Sequence, residues 1–251
     1  DIVICPGFQG YSQNGKITTL GRGGSDLSAV AIGVAIDANE VEIYSDVNGI
    51  YTADPRIVPD AMKLNYISYS EMLELSKNGA KVLNHRCVQL AAKHDIVIHA
   101  RSSFDESQGT YVLGDEKIMK DHLNQFIISG ITGSQNEARI TLVGVDAKVN
   151  GAGELFEKIA DANVNVNVFS QALVGGGRMD ISLIINDKDV PAVVEVINDL
   201  KETLQAKKTI VRGNIGKVAV IGVGIKNNKG MFQKVYNTLM SHDINVEMTS
   251  C

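Results

Sequence analysis

The chain contains no tryptophan, and aromatic residues make up only 5% of it. Single-stranded nucleic acids are held by stacking bases on aromatic faces, so that class of partner is disfavoured. Positive charge is not in excess either. The net charge is −5 at pH 7, which leaves no basic footprint for a phosphate backbone. No apolar run approaches the roughly 20 residues that a membrane-spanning helix needs. The opening DIVICPGFQG lacks the positive charges of a secretory signal. No nucleic-acid or membrane partner is expected, and the expected location is cytoplasmic. Cysteine is scarce and odd in number: Cys5, Cys87 and Cys251 are scattered, which suits reduced thiols rather than disulfides. His85 and Cys87 are two residues apart, but no second pair has ligand spacing, so no metal held by the protein's own side chains is expected. His94 and His99 flank a predicted strand and are expected at the surface or in caps.

What remains is ordinary soluble-protein material, 44% apolar and 21% charged over 251 residues, enough for one or two domains with a sizeable core. The most informative stretch runs over residues 18–56. It opens with Gly21, Arg22, Gly23, Gly24, Ser25 and Asp26. Glycines allow close approach of main-chain N–H groups to a ligand, and a helix starting there presents unpaired donors and a partial positive charge. Arg22 supplies a fixed cation for carboxylate or phosphate. Asp26 can cap the helix or hold an ammonium group. A small apolar helix is predicted over residues 27–36 and is expected to be buried. The strand after it, residues 41–44, delivers Ser45 and Asp46, then Tyr51, Thr52, Asp54 and Arg56. In open α/β sheets ligands sit beyond the carboxyl ends of strands, so two converging polar loops suggest a nucleotide site.

Taken in order, residues 1–5 read as an apolar strand and residues 11–16 as a hairpin turn with Asn14 and Gly15 at its tip. Residues 57–69 read as irregular. A helix capped by Ser70 is predicted over 70–77, and another over 81–93. Residues 96–98 form a fully apolar strand, and 109–112 an edge strand. The alternation of helix and strand predicts α/β with a mostly parallel sheet. Residues 115–124 are charged and read as a linker.

Beyond the linker the texture changes. Strands are predicted over 126–131 and 139–145, a helix over 151–162, and strands over 164–168 and 179–185. A helix capped by Asp189 and a closing strand over 209–211 complete a βαββαβ, ferredoxin-like α+β unit. The pattern then begins again: residues 139–145 answer to 217–223 and residues 159–166 to 239–246, an offset of about 78–80 residues.

These motifs resemble aspartate kinase, the aspartokinase of the amino-acid kinase (carbamate-kinase-like) fold. The resemblance rests on TTLGRGGSD, EIYSDVNGIYTADPRIVP and GAKVLNHRCV in that order, and the paired βαββαβ units resemble the ACT domains that follow the kinase domain. It implies residues 1–118 as the C-terminal, ATP-binding part of the catalytic domain with the front lobe missing. It implies 125–215 as a first ACT domain, with strand 126–132 completing the second, and 216–251 as the truncated start of that second domain. The implied reaction is phosphorylation of the side-chain carboxylate of L-aspartate by ATP, with Mg²⁺ bridging the phosphates, on the way to lysine, threonine and methionine.

By the same resemblance Arg22 and Asp26 are catalytic, and Arg22, Gly23, Gly24, Ser25 and Asp26 hold the substrate. Ser25, Ser45, Asp46, Tyr51, Asp54, Arg56, Lys81 and Val82 hold the nucleotide. Candidate contacts for an amino-acid effector, lysine and/or threonine, are Asp146, Asn150, Gly151, Ala152, Gly153 and Gln171, with Gly230, Asn245, Thr249 and Ser250. A homodimer or higher assembly through ACT domains is implied. Some positions depart from the family: its lysine-glycine phosphate motif is absent, Ser45 replaces Thr, and Asn84-His85 replaces His-Pro. The chain alone is therefore expected to turn over little or no substrate. The alternative is a regulatory, dimer-forming chain that binds an effector without chemistry. Another amino-acid kinase would fit the loops but not the ACT pair. There is no P-loop and no protein-kinase catalytic loop.

Overall fold

The structure, a computed structural model, describes residues 2–116, 118, 127–148, 151–225 and 228–250. The chain divides into two compact units. The first comprises Asp1–Gly133 with Val218–Val235, and the second Ser134–Lys217 with Tyr236–Cys251.

In the first unit, strands β1 (Gln9–Tyr11) and β2 (Ile17–Thr19) pair antiparallel around the expected Asn14-Gly15 turn, where Gly15 has φ 74°. Helix α1 (Gly24–Ala35) leads to β3 (Glu40–Ser45). Then come β4 (Tyr66–Ser68), α2 (Tyr69–Lys77), α3 (His85–His94), β5 (Val97–Ser102) and β6 (Thr110–Leu113). The sheet order is β3-β5-β6-β4. The β3–β5 and β4–β6 pairs are parallel and β5–β6 is antiparallel, so the sheet is mostly parallel, as expected.

Residue alternation explains the sheet. Along β3, Val41 and Ile43 turn inward while Glu40, Glu42 and Tyr44 turn outward. Ile98, Ala100 and Val112 close the same core with Val30, Met72 and Val88. Full burial of each large aliphatic side chain stabilises the fold by about 1.5–3 kcal/mol. Helix α1 lies close on β3 because Gly33 has no side chain: a Cβ there would sit 2.4 Å from Val41 Cγ2.

Several expected elements differ. Residues 2–5 form no strand, and Ile2, Val3 and Ile4 are exposed, having no paired strand among the described residues. Helix α1 begins at Gly24 and is only partly buried, with Ile32 and, at its C-cap, Ile36 exposed. The stretch read as irregular contains β4, a strand too short to show periodicity. The cap of α2 is Ser68, not Ser70. Ser68 Oγ accepts from Glu71 N and the Glu71 carboxylate accepts from Ser68 N, a capping box. Buried Glu71 also accepts from the Ser129 hydroxyl and, at 3.3 Å, from Val223 N. Helix α3 starts four residues later than expected, because Asn84 caps it by accepting from Arg86 N. β6 is not an edge strand, since β4 covers it. His99 lies inside β5 and is buried, not at the surface. Most of the expected linker, 117 and 119–124, lies outside the described residues.

The second unit is the expected βαββαβ. Its first strand belongs to β7 (Gly130–Asp146), followed by α4 (Gly151–Asp161), β8 (Val166–Gly175) and β9 (Arg178–Asn186). Helices α5 (Val190–Asp199) and α6 (Lys201–Leu204) precede β10 (Lys208–Ile221). The order β10-β7-β9-β8 places the first and third strands of the motif side by side. Leu155 and Ile159 of α4, and Val193, Val196 and Ile197 of α5, face a core shared with Ile140, Leu142, Ile181 and Leu183. Of the strand expected over 126–131, residues 127–129 form no strand, and residues 130–131 belong with the strand expected over 139–145 to the single strand β7. Asp189 occupies the N-cap of α5 without a side-chain bond, and Asn186 instead caps the preceding turn by accepting from Lys188 N. After α7 (Met231–Met240), residues 244–250 form no strand.

Candidate functional site

Four local features of the first unit build the site. The first is the glycine loop. Gly21 and Gly23 have φ 82° and 76°, and Gly23 is the N-cap of α1, which carries no side-chain cap bond. Gly24 N donates to Gly21 O at 3.0 Å, and Gly23 has no side chain to cap the remaining first-turn N–H groups of α1, which suits an anion. Ser28 braces the turn, donating to Gly24 O at 2.9 Å and accepting from Phe8 N at 3.1 Å. Arg22 and Ser25 are exposed, and Asp26 is half-buried.

The second is the loop beyond β3. Ser45 and Ser102 are register partners at the carboxyl ends of β3 and β5. Ser45 Oγ accepts from Val47 N at 3.3 Å, turning the chain, and Asp46 is exposed. Gly49 (φ 130°) packs where a Cβ would meet Thr110 Oγ1 at 2.6 Å. Tyr51 donates its hydroxyl to Asn48 Oδ1 at 2.7 Å.

The third is the Asp54–Arg56 pair. Arg56 donates to Asp54 through Nε at 3.0 Å, Nη2 at 2.8 Å and its backbone N at 2.9 Å. The Arg56 side chain, then its backbone N–H, hold the Asp54 carboxyl at about 2, with a smaller contribution from the charge of Lys81. The Arg56 guanidinium is pushed up, chiefly by Asp54 and more weakly by Asp46.

The fourth feature joins the others. Residues 81–84 run between the two loops. Lys81 lies within electrostatic reach of Asp54. Asn84 Nδ2 donates to Arg22 O at 2.9 Å, and Asn84 N donates to Asp26 Oδ2 at 3.2 Å. A Cβ on Gly23 would fall 2.3 Å from Asn84 Nδ2. Asp26 is thus held toward the start of α3. There the Cys87 thiol is pushed up to about 12, by burial first and by the charge of Asp26 second. Asn84 was visible in the sequence only as a departure from a family motif. Its polar side chain at a helix start was the signal that could have identified it.

Of the expected site residues, Arg22–Asp26 and Lys81–Val82 are linked through Asn84, and Asp46, Asp54, Arg56 and Lys81 through their charges. Tyr51 is turned onto Asn48. A hollow of about 400 Å³ lined by Tyr69, Ala92, Asp95, Gly114, Asp115 and Glu116 shares no residue with these loops, and its carboxylates do not suit a phosphate.

The expected effector contacts are less coherent. Asp146 ends β7 and accepts from Lys148 N at 2.9 Å, while Gly151, Ala152 and Gly153 open α4. Gln171 is exposed on β8, separated from β7 by β9. Gly230 belongs to the first unit, whereas Asn245, Thr249 and Ser250 are assigned to the second, where Thr249 Oγ1 meets the Tyr236 hydroxyl. Asn150 lies outside the described residues. Among the described residues, no helix is long and apolar enough to cross a membrane.

Residues 1–102 match the amino acid kinase family. Aspartokinases from Mycolicibacterium smegmatis and Helicobacter pylori are each 39% identical over 99% of the chain, which spans 59% and 61% of their lengths. The chain spans about three-fifths of these curated relatives. Among solved structures, aspartate kinase of Clostridium acetobutylicum aligns with TM-score 0.83 at 28% identity, over 98% of this chain and 56% of that one. E. coli aspartokinase III in complex with aspartate and ADP aligns with TM-score 0.77 at 27% identity, over 96% and 53%. The same enzyme with lysine and aspartate aligns at 0.71, with 28% identity over 98% and 53%. On these matches residues 1–102 are similar to the amino acid kinase family, and the chain as a whole is similar, from one end to the other, to aspartokinases.

Proposed function

We propose that the chain is part of an aspartate kinase that transfers the γ-phosphoryl group of ATP to the side-chain carboxylate of L-aspartate. The observation that carries this reading is the bridge of residues 81–84 between the glycine loop and the Asp54–Arg56 loop. Phosphoryl transfer needs positioned donors and neutralised charge more than covalent chemistry by the protein. The uncapped N-terminus of α1 supplies N–H donors for phosphate or carboxylate, and Arg22 and Ser25 stand beside it. Asp26 faces the substrate ammonium in this reading. Ser45, Asp46, Tyr51, Asp54, Arg56, Lys81 and Val82 line the nucleotide. Mg²⁺ would arrive on the nucleotide's phosphates, an ion that needs only one or two protein carboxylates, and exposed Asp46 fits that demand.

The second unit is read as an ACT domain within residues 125–215, with the start of a second over 216–251. It would take lysine and/or threonine near Asp146, Gly151–Gly153 and Gln171, and join two copies of the protein. E. coli aspartokinase III in complex with lysine and aspartate, similar over most of this chain, supports an amino-acid effector.

Binding is the direct test. Calorimetric titration with Mg·ADP and then L-aspartate should give saturable heat for the nucleotide. Lys81→Ala and Arg56→Ala should each weaken it by about tenfold, the loss of one charge-assisted contact worth about 1.5 kcal/mol. Nucleotide affinity unchanged in both variants would reject the assignment.

A further inference from the structure

We propose a divalent transition-metal site, with zinc as its fitting occupant, formed by Glu40, Glu42 and His99 on the outward face of β3 and β5. Glu40 and Glu42 are alternate residues of β3, so both project from one face of the sheet. His99 is the register partner of Glu42 on the parallel strand β5. One donor atom from each of the three lies within 4.8 Å of the others.

An imidazole, not the carboxylates, makes this more than an acidic patch. His99 is 5% exposed, and its Nδ1 has no hydrogen-bond partner. Its Nε2 lies 2.6 Å from Gln108 O. A carbonyl only accepts, so Nε2 donates there, and the Nδ1 side of the ring faces Glu42, where the neutral imidazole required of a metal ligand would present its lone pair. Nδ1 and Glu42 Oε1 are 3.5 Å apart. Tetrahedral zinc with ligands at 2.0–2.2 Å spaces its donors by about 3.4 Å. Those two atoms already have that spacing, and a donor oxygen of exposed Glu40 lies within 4.8 Å of a donor atom on each of the other two residues.

The surroundings are those of a metal ligand. The carbonyl on Nε2 fixes the tautomer, and Tyr111 stacks on the ring with centroids 3.9 Å apart. Arg101 Nη1, 2.7 Å from Glu42 Oε1, and the Tyr44 hydroxyl, 3.0 Å from Oε2, orient the Glu42 carboxylate. One imidazole with two carboxylates suits zinc, cobalt or manganese better than magnesium or calcium. An ion here would pin β3 to β5 just before Ser45 and Asp46. Its role would be structural and independent of the nucleotide reading.

Cobalt(II) is the spectroscopic probe, with zinc as competitor, on the intact chain. One equivalent should bind with the visible bands of a low-coordinate site and be displaced by zinc. Zinc should also raise the thermal midpoint. Glu40→Gln, on an exposed side chain that cannot disturb the core, should weaken uptake by more than about tenfold and remove the thermal shift. His99→Gln should abolish uptake. Absence of saturable uptake, or uptake unaltered by Glu40→Gln, would overturn the site. So would nitrogen NMR showing His99 Nδ1 protonated at neutral pH and unmoved by zinc, since the ring would then be simply paired with Glu42.

Discussion

Gly23 holds φ 76° with Asn84 Nδ2 so near that a Cβ would stand 2.3 Å from it. Gly23→Ala therefore meets two penalties, a left-handed backbone and a displaced Asn84. It should cost about 1–3 kcal/mol, read as a lower midpoint in urea denaturation, and it should loosen the Arg22–Asp26 turn. Asp54 makes a prediction of another kind. Its carboxyl falls from the ordinary 3.8 to about 2 because Arg56 binds the charged form. A depressed acid contributes stability above its unfolded value and loses it as pH falls through the folded one. The Asp54–Arg56 contribution should thus be constant from about pH 5 to 8 and disappear between 3.8 and about 2. A carboxyl-carbon NMR titration of Asp54 reads this directly, and a midpoint near 3.8 would contradict it. Both partners are solvent-accessible, so salt should weaken the pair. The chemical identity of these residues was plain in the sequence. Their pairing was not: Asp54 appeared as a nucleotide contact, and only the fold shows it engaged with Arg56.

Elements were legible where their signal is local. The alternation of β3, the Asn14-Gly15 turn and the amphipathic α4 all follow from patterns within a dozen residues. Starts and stops were less so, because caps are chosen by geometry among several polar candidates. Ser68 and Ser70 both stand at the start of α2, and only Ser68 stands three residues before Glu71, which completes the box. β4 was invisible because a three-residue strand has no periodicity, and it exists by pairing with β6. Helix α3 offers the sharpest test at this scale. Asn84→Ala removes its N-cap and should cost about 1 kcal/mol. Asn84→Asp keeps the cap acceptor but removes the donor to Arg22 O. It should therefore retain most of the stability while weakening ligand binding at the glycine loop. Equal stability loss in both variants, by thermal denaturation, would mean that the cap is not what Asn84 supplies.

For the whole molecule, two separately built units account for the two textures of the sequence, one α/β with a mostly parallel sheet and one βαββαβ. The repeat after residue 216 predicted only the truncated start of a second copy of the latter, and within it residues 244–250 form no strand. On the proposed function, residues 21–26, 45–56 and 81–84 of the first unit would act as one nucleotide-binding surface. Hydrogen exchange measured peptide by peptide, with and without Mg·ADP, tests it most directly. Slowed exchange is expected in all three segments together, with the βαββαβ unit unchanged. Protection confined to one of the segments, or appearing elsewhere in the chain, would contradict it.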